Sequence, residues 1–289
     1  MQFFALVRKI ICTLAGMEFK MAEIVTTMAE VIAIVSGKGG VGKTTTSANI
    51  GTALAGMGKN VLLIDCDIGL RNLDIALGMQ NKIVYDFLDI IEERCDARKA
   101  IVTDMRFRGL NLLSSPQTRE ASSVPPEKMK ELVDKLKPFF DYIILDCPAG
   151  IDDGFNLAIS NSDKAIVIAT PEMISIRDAD RIISKLEQIG MMNNFLIINR
   201  IRIDMIKKGD MIDIDNMIDI IAIPLIGAVP EDDAVIASNN KGIPVVLNHR
   251  TRAGRAYFNI AKRLTGEKVP ILDDEGNVFI RLLRKIFGR

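Results

Sequence analysis

The stretch Gly37-Lys38-Gly39-Gly40-Val41-Gly42-Lys43-Thr44-Thr45 constrains this chain more than any other feature of it. It satisfies the spacing G-x-x-x-x-G-K-[ST], follows the β-branched run Val31–Ser36, and opens a helical pattern over 43–57. A strand, a glycine turn and a helix in that order build a cradle. The turn's backbone N–H groups curl around phosphate oxygens, and the helix aims its positive end at them. Lys43 supplies a point charge for β- and γ-phosphates, and Thr44 supplies a hydroxyl for Mg²⁺. With strand, turn, Lys-Thr pair and helix all in place, a turn that binds nothing is the weaker reading.

The rest of the chain agrees with that nucleus. Val31–Ser36, Val61–Asp65, Leu110–Ser114, Tyr142–Asp146, Ala165–Thr170, Phe195–Asn199 and Ala222–Val229 read as strands, nearly continuous in hydrophobicity, as strands buried on both faces are. Helical patterns fall between them at 43–57, 83–93, 126–137, 154–161, 176–190, 231–240 and 253–265. The stretch Ile201–Ile223 mixes Ile, Met, Asp and Lys without clear caps, and its structure stays open. The alternation predicts an α/β fold with a mainly parallel twisted sheet flanked by helices on both faces. No Pro/Ser linker and no repeat divides residues 29–265, so one domain is expected there. Hydrophobic residues at 48% and charged residues at 26% exclude a disordered chain, a collagen-like fibre and a disulfide scaffold. Lys+Arg and Asp+Glu are both 37, so the chain lacks the basic excess of a nucleic-acid-binding protein. Cys12, Cys66, Cys95 and Cys147 form no C-x-x-C pair, which favours reduced thiols over a zinc site. A single His makes histidine-based metal or triad chemistry a poor fit.

Two acidic sites complete the cradle. Asp65-Cys66-Asp67 ends the second strand at the sheet edge where open α/β folds bind ligands. Asp146 closes the apolar strand Tyr142-Ile143-Ile144-Leu145, placed to hold Mg²⁺ directly or through water. Lys38 is a second lysine just after the first glycine, and the pattern K-G-G-x-G-K-T-T resembles the deviant P-loop of the ParA/MinD family of dimeric ATPases. Asp67-Ile68-Gly69-Leu70-Arg71-Asn72-Leu73-Asp74, Val84-Tyr85-Asp86, Gln117-Thr118-Arg119, Asp146-Cys147-Pro148-Ala149-Gly150, Pro171-Glu172 and Gly209-Asp210-Met211 are similar to the septum-site-determining branch of that family.

The resemblance implies a P-loop NTPase that binds ATP and Mg²⁺ and dimerises around the nucleotide. Lys38, Lys43 and Asp67 would be catalytic, with Lys38 reaching the partner subunit's phosphates and Asp67 orienting the attacking water. Gly37, Gly39, Gly40, Val41, Gly42, Thr44 and Thr45 would line the cradle. Thr44, Asp65 and Asp146 would serve the metal, and Asn199, Pro230 and Asp232 the adenine. Arg177, Asp178 and Asp180, in Arg177-Asp178-Ala179-Asp180-Arg181, would face the other subunit or a regulator. The implied partners are a MinC-type division inhibitor, a MinE-type topological-specificity factor and anionic membrane lipids, with no sequence-specific nucleic acid. A ParA-type DNA- or plasmid-partitioning ATPase is the alternative; the balanced charge does not favour it, and it does not need the C-terminal tail.

That tail separates the two readings. Beyond a linker at 266–277 that contains Asp273-Asp274-Glu275-Gly276, residues 278–289 read as an amphipathic helix. Phe279, Ile280, Leu282, Leu283, Ile286 and Phe287 fall on one face, and Arg281, Arg284 and Lys285 on the other. A helix of that length is about 18 Å long, too short for an apolar core of about 30 Å, so it lies in the interface with its cations at anionic headgroups. The expected location is cytoplasmic, peripheral on the inner face of the cell membrane. Residues 1–28 read as an extension or a misassigned start, Met28 directly preceding the first strand, and carry no functional assignment.

Overall fold

The computed structural model describes residues 28–117 and 124–271. The extension at 1–27, Cys12, Thr118, Arg119 and the tail residues Phe279, Ile280, Arg281, Leu282, Leu283, Arg284, Lys285, Ile286 and Phe287 lie outside the described residues.

Eight strands form one sheet: β1 (Glu30–Val35), β2 (Val61–Asp65), β3 (Val102–Thr103), β4 (Leu110–Leu113), β5 (Tyr142–Asp146), β6 (Lys164–Ala169), β7 (Asn194–Ile201) and β8 (Leu225–Pro230), in the order β3-β4-β2-β5-β1-β6-β7-β8. Every neighbouring pair is parallel except β3 with β4. In β1 the side chains alternate between two apolar layers. Val31, Ala33 and Val35 join one layer, and Ile32 and Ile34 the other. All five are fully buried, as a central strand covered on both faces must be.

Helices α1 (Lys43–Gly56), α2 (Leu73–Ala76) and α11 (Arg252–Leu264) feed one layer. The other is fed by α3 (Phe87–Ile91), α5 (Pro126–Leu136), α6 (Asp153–Ile159), α7 (Met173–Gln188) and α9 (Ile214–Ile221). The α1 helix is buried on nearly all sides, between the sheet and α11. Its small residues permit this: a Cβ on Gly51 would stand 2.6 Å from a Leu63 methyl of β2. The short helices α4 (Ala97–Ala100), α8 (Ile203–Lys208) and α10 (Asp233–Lys241) complete the set among the described residues.

The departures from the sequence reading have local causes. The helix expected at 83–93 shrinks to α3, because Asp86 stays extended and caps it: its carboxylate accepts from Leu88 N and Asp89 N, while Asp89 accepts from Asp86 N. The open stretch 201–223 holds two helices. α8 ends at left-handed Gly209, and α9 is capped by Asp213, which accepts from Asn216 N at 2.8 Å. Ala222, left-handed with φ 57, ends α9, so β8 starts at Leu225 rather than Ala222. The antiparallel edge strand β3 and the helices α2 and α4 carry no periodicity long enough to read. No helix among the described residues is long and apolar enough to cross a membrane.

Arg106 clamps three segments of one layer. Its guanidinium pairs with the buried Asp104 at 2.6 Å, donates to Gly242 O at 3.1 Å at the end of α10, and donates to Leu77 O just past α2. The pair holds the Asp104 carboxyl below the usual range. Arg106→Met leaves that carboxylate buried without its cation, and is expected to lower stability to urea by about 2 kcal/mol, a figure reduced because Arg106 is part-exposed. Adding Asp104→Asn should recover part of the loss; additive losses would show the pair to be uncoupled.

Candidate functional site

The C-terminal ends of β1, β2 and β5 meet at one edge, and the parallel registers set what stands there. Ile34 pairs with Asp146, and Asp65 pairs with Asp146. The chain leaves β1 toward β2 on one side and enters β6 on the other, the topology at which open α/β sheets hold ligands. The Gly37–Thr45 loop closes this edge. Gly40 and Gly42 take left-handed φ of 78 and 101, which a Cβ would strain. Gly37 is needed for a different reason: a Cβ there would lie 2.5 Å from the Asp178 carbonyl of α7.

Lys43 is 8% exposed, an ammonium inside the loop. It donates to Ser36 Oγ at 2.9 Å, and Ser36 in turn donates to Lys38 O at 2.8 Å. Burial pulls Lys43 below the usual lysine range, while Asp146 and Asp67 push back. Asp146 is buried at the β5 end and accepts from Ser47 Oγ at 2.8 Å. Burial raises its carboxyl to about 6, against the pull of the Thr44 and Ser47 hydroxyls and of Lys43. Asp65 accepts from Asp67 N at 2.9 Å through one oxygen and from Leu73 N at 3.1 Å through the other, so it organises the turn after β2. Burial, with Asp146 alongside, raises it to about 8. Asp67 is half-buried, and burial raises it too while Lys43 lowers it. A cleft of about 240 Å³ opens beside it, lined also by Ile68, Pro148, Ala149 and Asp152.

Two hard-oxygen groups, the Thr44 hydroxyl and the Asp146 carboxylate, therefore sit together in a site whose carboxyls are held above their usual range. That donor set fits Mg²⁺, which binds through one or two protein oxygens and completes its shell with water and phosphate. Among the described residues no group of three or more His, Cys, Asp or Glu side chains forms a metal cage. Cys66 and Cys147 follow Asp65 and Asp146 but turn into the apolar layer; burial raises both thiols and leaves them inert.

The remaining sequence candidates take distinct places. Lys38 stands exposed at the rim, 3.3 Å from Glu172. Asn199, at the end of β7, donates to Val41 O at 2.8 Å and lies over Gly42, bracing the loop itself. Pro230 ends β8, and Asp232 accepts from Ala234 N and Ala253 N, joining the starts of α10 and α11. Arg177 and Asp180 are exposed on α7, whereas Asp178 is half-buried against Gly37. Ser36 and Ser47 were not singled out from sequence, and Glu172 figured only within the motif Pro171-Glu172, with no role attached. The signal for Ser47 was present, since it lies three residues after Thr44 and so on the same side of α1.

Fold and site together define a P-loop nucleotide-binding α/β protein. The description CobQ/CobB/MinD/ParA nucleotide binding domain matches residues 32–245, and the chain belongs to that family. It is 49% identical over 265 residues to the septum site-determining protein MinD of Bacillus subtilis, a match covering 90% of this chain and 99% of the relative. Among solved structures it is similar to the MinC:MinD cell division protein complex of Aquifex aeolicus (TM-score 0.80, 46% identity, 85% of this chain and 99% of that one). It is also similar to MinD of Pyrococcus horikoshii complexed with Mg-ADP (TM-score 0.74, 28% identity, 82% and 96%).

The raised Asp65 has a consequence for stability. Its folded carboxyl, at about 8 against an ordinary 3.8, holds a proton that the unfolded chain gives up, so its contribution falls as pH rises through that window. In nucleotide-free EDTA buffer, Asp65→Asn should flatten the decline in urea stability between about pH 5 and pH 8. An unchanged slope would place Asp65 in an ordinary ionised state.

Proposed function

We propose that the chain is an ATP-dependent ATPase of cell-division site selection that cycles between cytoplasm and membrane as it binds and hydrolyses ATP. The observation that carries the enzymatic part is the convergence of Lys43, Thr44, Asp146 and Asp67 behind a glycine cradle with a second lysine at its rim. The names of its relatives, septum site-determining protein and partner in a MinC:MinD complex, support the cellular part.

In this reading Lys43 and the N-terminus of α1 hold the phosphates. Thr44 and Asp146 would hold Mg²⁺, which would supply charge neutralisation on the transferred phosphoryl group. Asp67 faces the open cleft with a carboxyl that burial raises above its usual range against the pull of Lys43, a placement that suits a group that orients and deprotonates water. Lys38 is tied only by an exposed ion pair, worth little in water, so little opposes its swing to a partner subunit's phosphates. Asn199, Pro230 and Asp232 flank the nucleoside end. The exposed Arg177 and Asp180, with Asp178, offer a face to a MinC-type inhibitor or a MinE-type factor. The tail at 278–289 would bind anionic lipid. Inserting its apolar face gains on the order of 10 kcal/mol, and ordering the segment offsets most of that, so one tail binds weakly and two on a dimer bind well.

Mg²⁺-dependent ATP hydrolysis is the first test. Asp67→Ala should retain nucleotide but lose about a hundredfold or more in turnover, and normal hydrolysis by it would remove the water-orienting role. For the cycle, the wild-type chain should sediment with anionic liposomes in ATP and leave them in ADP. Phe279→Glu should stay in the supernatant with its nucleotide binding intact. Equal liposome binding in both nucleotides would refute the switch.

A further inference from the structure

The phosphate-binding helix is tied to the segment 239–257 through its first two turns. Asn49, buried on α1, accepts from Val246 N at 2.8 Å and donates to Thr45 O at 2.7 Å. The Thr46 hydroxyl shares a hydrogen bond with the buried Tyr257 hydroxyl at 3.4 Å. Asn239, near the end of α10, donates its amide to Thr45 Oγ1 at 3.1 Å. Thr45 is thus held at its carbonyl by Asn49 and at its hydroxyl by Asn239.

The second contact decides what that hydroxyl can do. A threonine hydroxyl has one proton and two lone pairs. With Asn239 donating to the oxygen, the proton is left to point elsewhere. The first helical hydrogen bond of α1 runs from Thr46 N to Gly42 O, so the Thr45 N–H before it lacks an intrahelical acceptor. The released hydroxyl proton and that N–H form a donor pair at the positive end of the helix, which is a seat for an anionic oxygen.

Which oxygen follows from direction. Thr44 turns its hydroxyl to Asp146, on the metal side. Thr45 lies about 100° further round the helix, toward Asn239 near the end of α10 and away from the metal side, so it serves the phosphate that a metal bridging the β- and γ-phosphates leaves free. We propose that Asn239 is a positioning residue for nucleotide binding, which sets the Thr45 hydroxyl as a donor to the phosphate nearest the ribose. This rests on the phosphate-cradle reading above and adds to it a residue from outside the loop motif.

The test measures the affinity of the dilute full chain for Mg-ATP and Mg-ADP. Both nucleotides carry the α-phosphate, so Asn239→Ala should weaken both by the same factor, about fivefold. Asn239→Asp keeps the shape but can only accept, drawing the Thr45 proton away from the phosphate, and should weaken both about thirtyfold. On a Thr45→Val background, which lacks the hydroxyl, Asn239→Ala should have no further effect, and Asn239→Asp should keep only the smaller loss due to its added charge. Thermal transitions of the variants should stay near the wild-type value, since Asn239 is part-exposed. Unchanged affinities, a loss confined to ATP, a full loss on the Thr45→Val background, or losses that track a fallen Tm in both variants would each overturn the role. A wild-type chain that binds neither nucleotide would overturn the cradle reading itself, and the inference with it.

Discussion

A lysine ammonium buried at the end of a parallel sheet is the constraint around which this structure is built. Water cannot solvate Lys43, so fixed groups must do so: the Ser36 hydroxyl at 2.9 Å and the field of Asp146 and Asp67. Those carboxylates come from β5 and from the turn after β2, so the arrangement depends on strand register. Asp146 faces the loop because it pairs with Ile34 and Asp65 in its two neighbours. A slip of one residue would turn Asp146 into the apolar layer and bring the Cys147 thiol to the ammonium. The same alternation that buries Val31, Ala33 and Val35 against Ile32 and Ile34 therefore fixes the chemistry at the strand ends.

The second constraint is close approach. The phosphate helix must sit deep enough to aim its N-terminus at the strand ends, and residues without bulk make room at each contact. Gly51 admits Leu63, Gly37 admits the Asp178 backbone, and Gly42 admits the Asn199 amide. Through those contacts α1 and the loop that leads into it touch β2, α7 and β7 at once. The loop conformation is set from three sides before any ligand arrives, which lowers the ordering cost of binding.

How much of this was legible in the sequence follows from the range of each interaction. The sheet was legible because each central strand is apolar on both faces, a pattern that survives without knowledge of its neighbours. The cradle was legible because its parts are consecutive, Asp65 and Asp146 because each ends a strand, and Asp67 because it follows Asp65 by two residues. Asn199 was placed at the right strand end, but its contact with Val41, 158 residues away in sequence, is a product of packing. The same is true of Asn239 with Thr45 and of Asp178 against Gly37. In 201–223 the caps were present as Gly209 and Asp213, but isoleucines on both sides blurred the helical period that would have given them meaning.

Charge accounts for how the two lysines divide their work. Lys43 is enclosed and already opposed by Asp146 and Asp67, so within one subunit its positive charge is largely committed. Lys38 is exposed and weakly paired with Glu172, so its charge is available. In the proposed cycle the γ-phosphate adds negative charge at the open rim beyond what Lys43, which also faces Asp146 and Asp67, offsets alone. A cation from a facing subunit is then drawn in by ATP more strongly than by ADP. In that proposed cycle dimerisation would follow nucleotide state, because the buried lysine faces its own carboxylates and the exposed one does not.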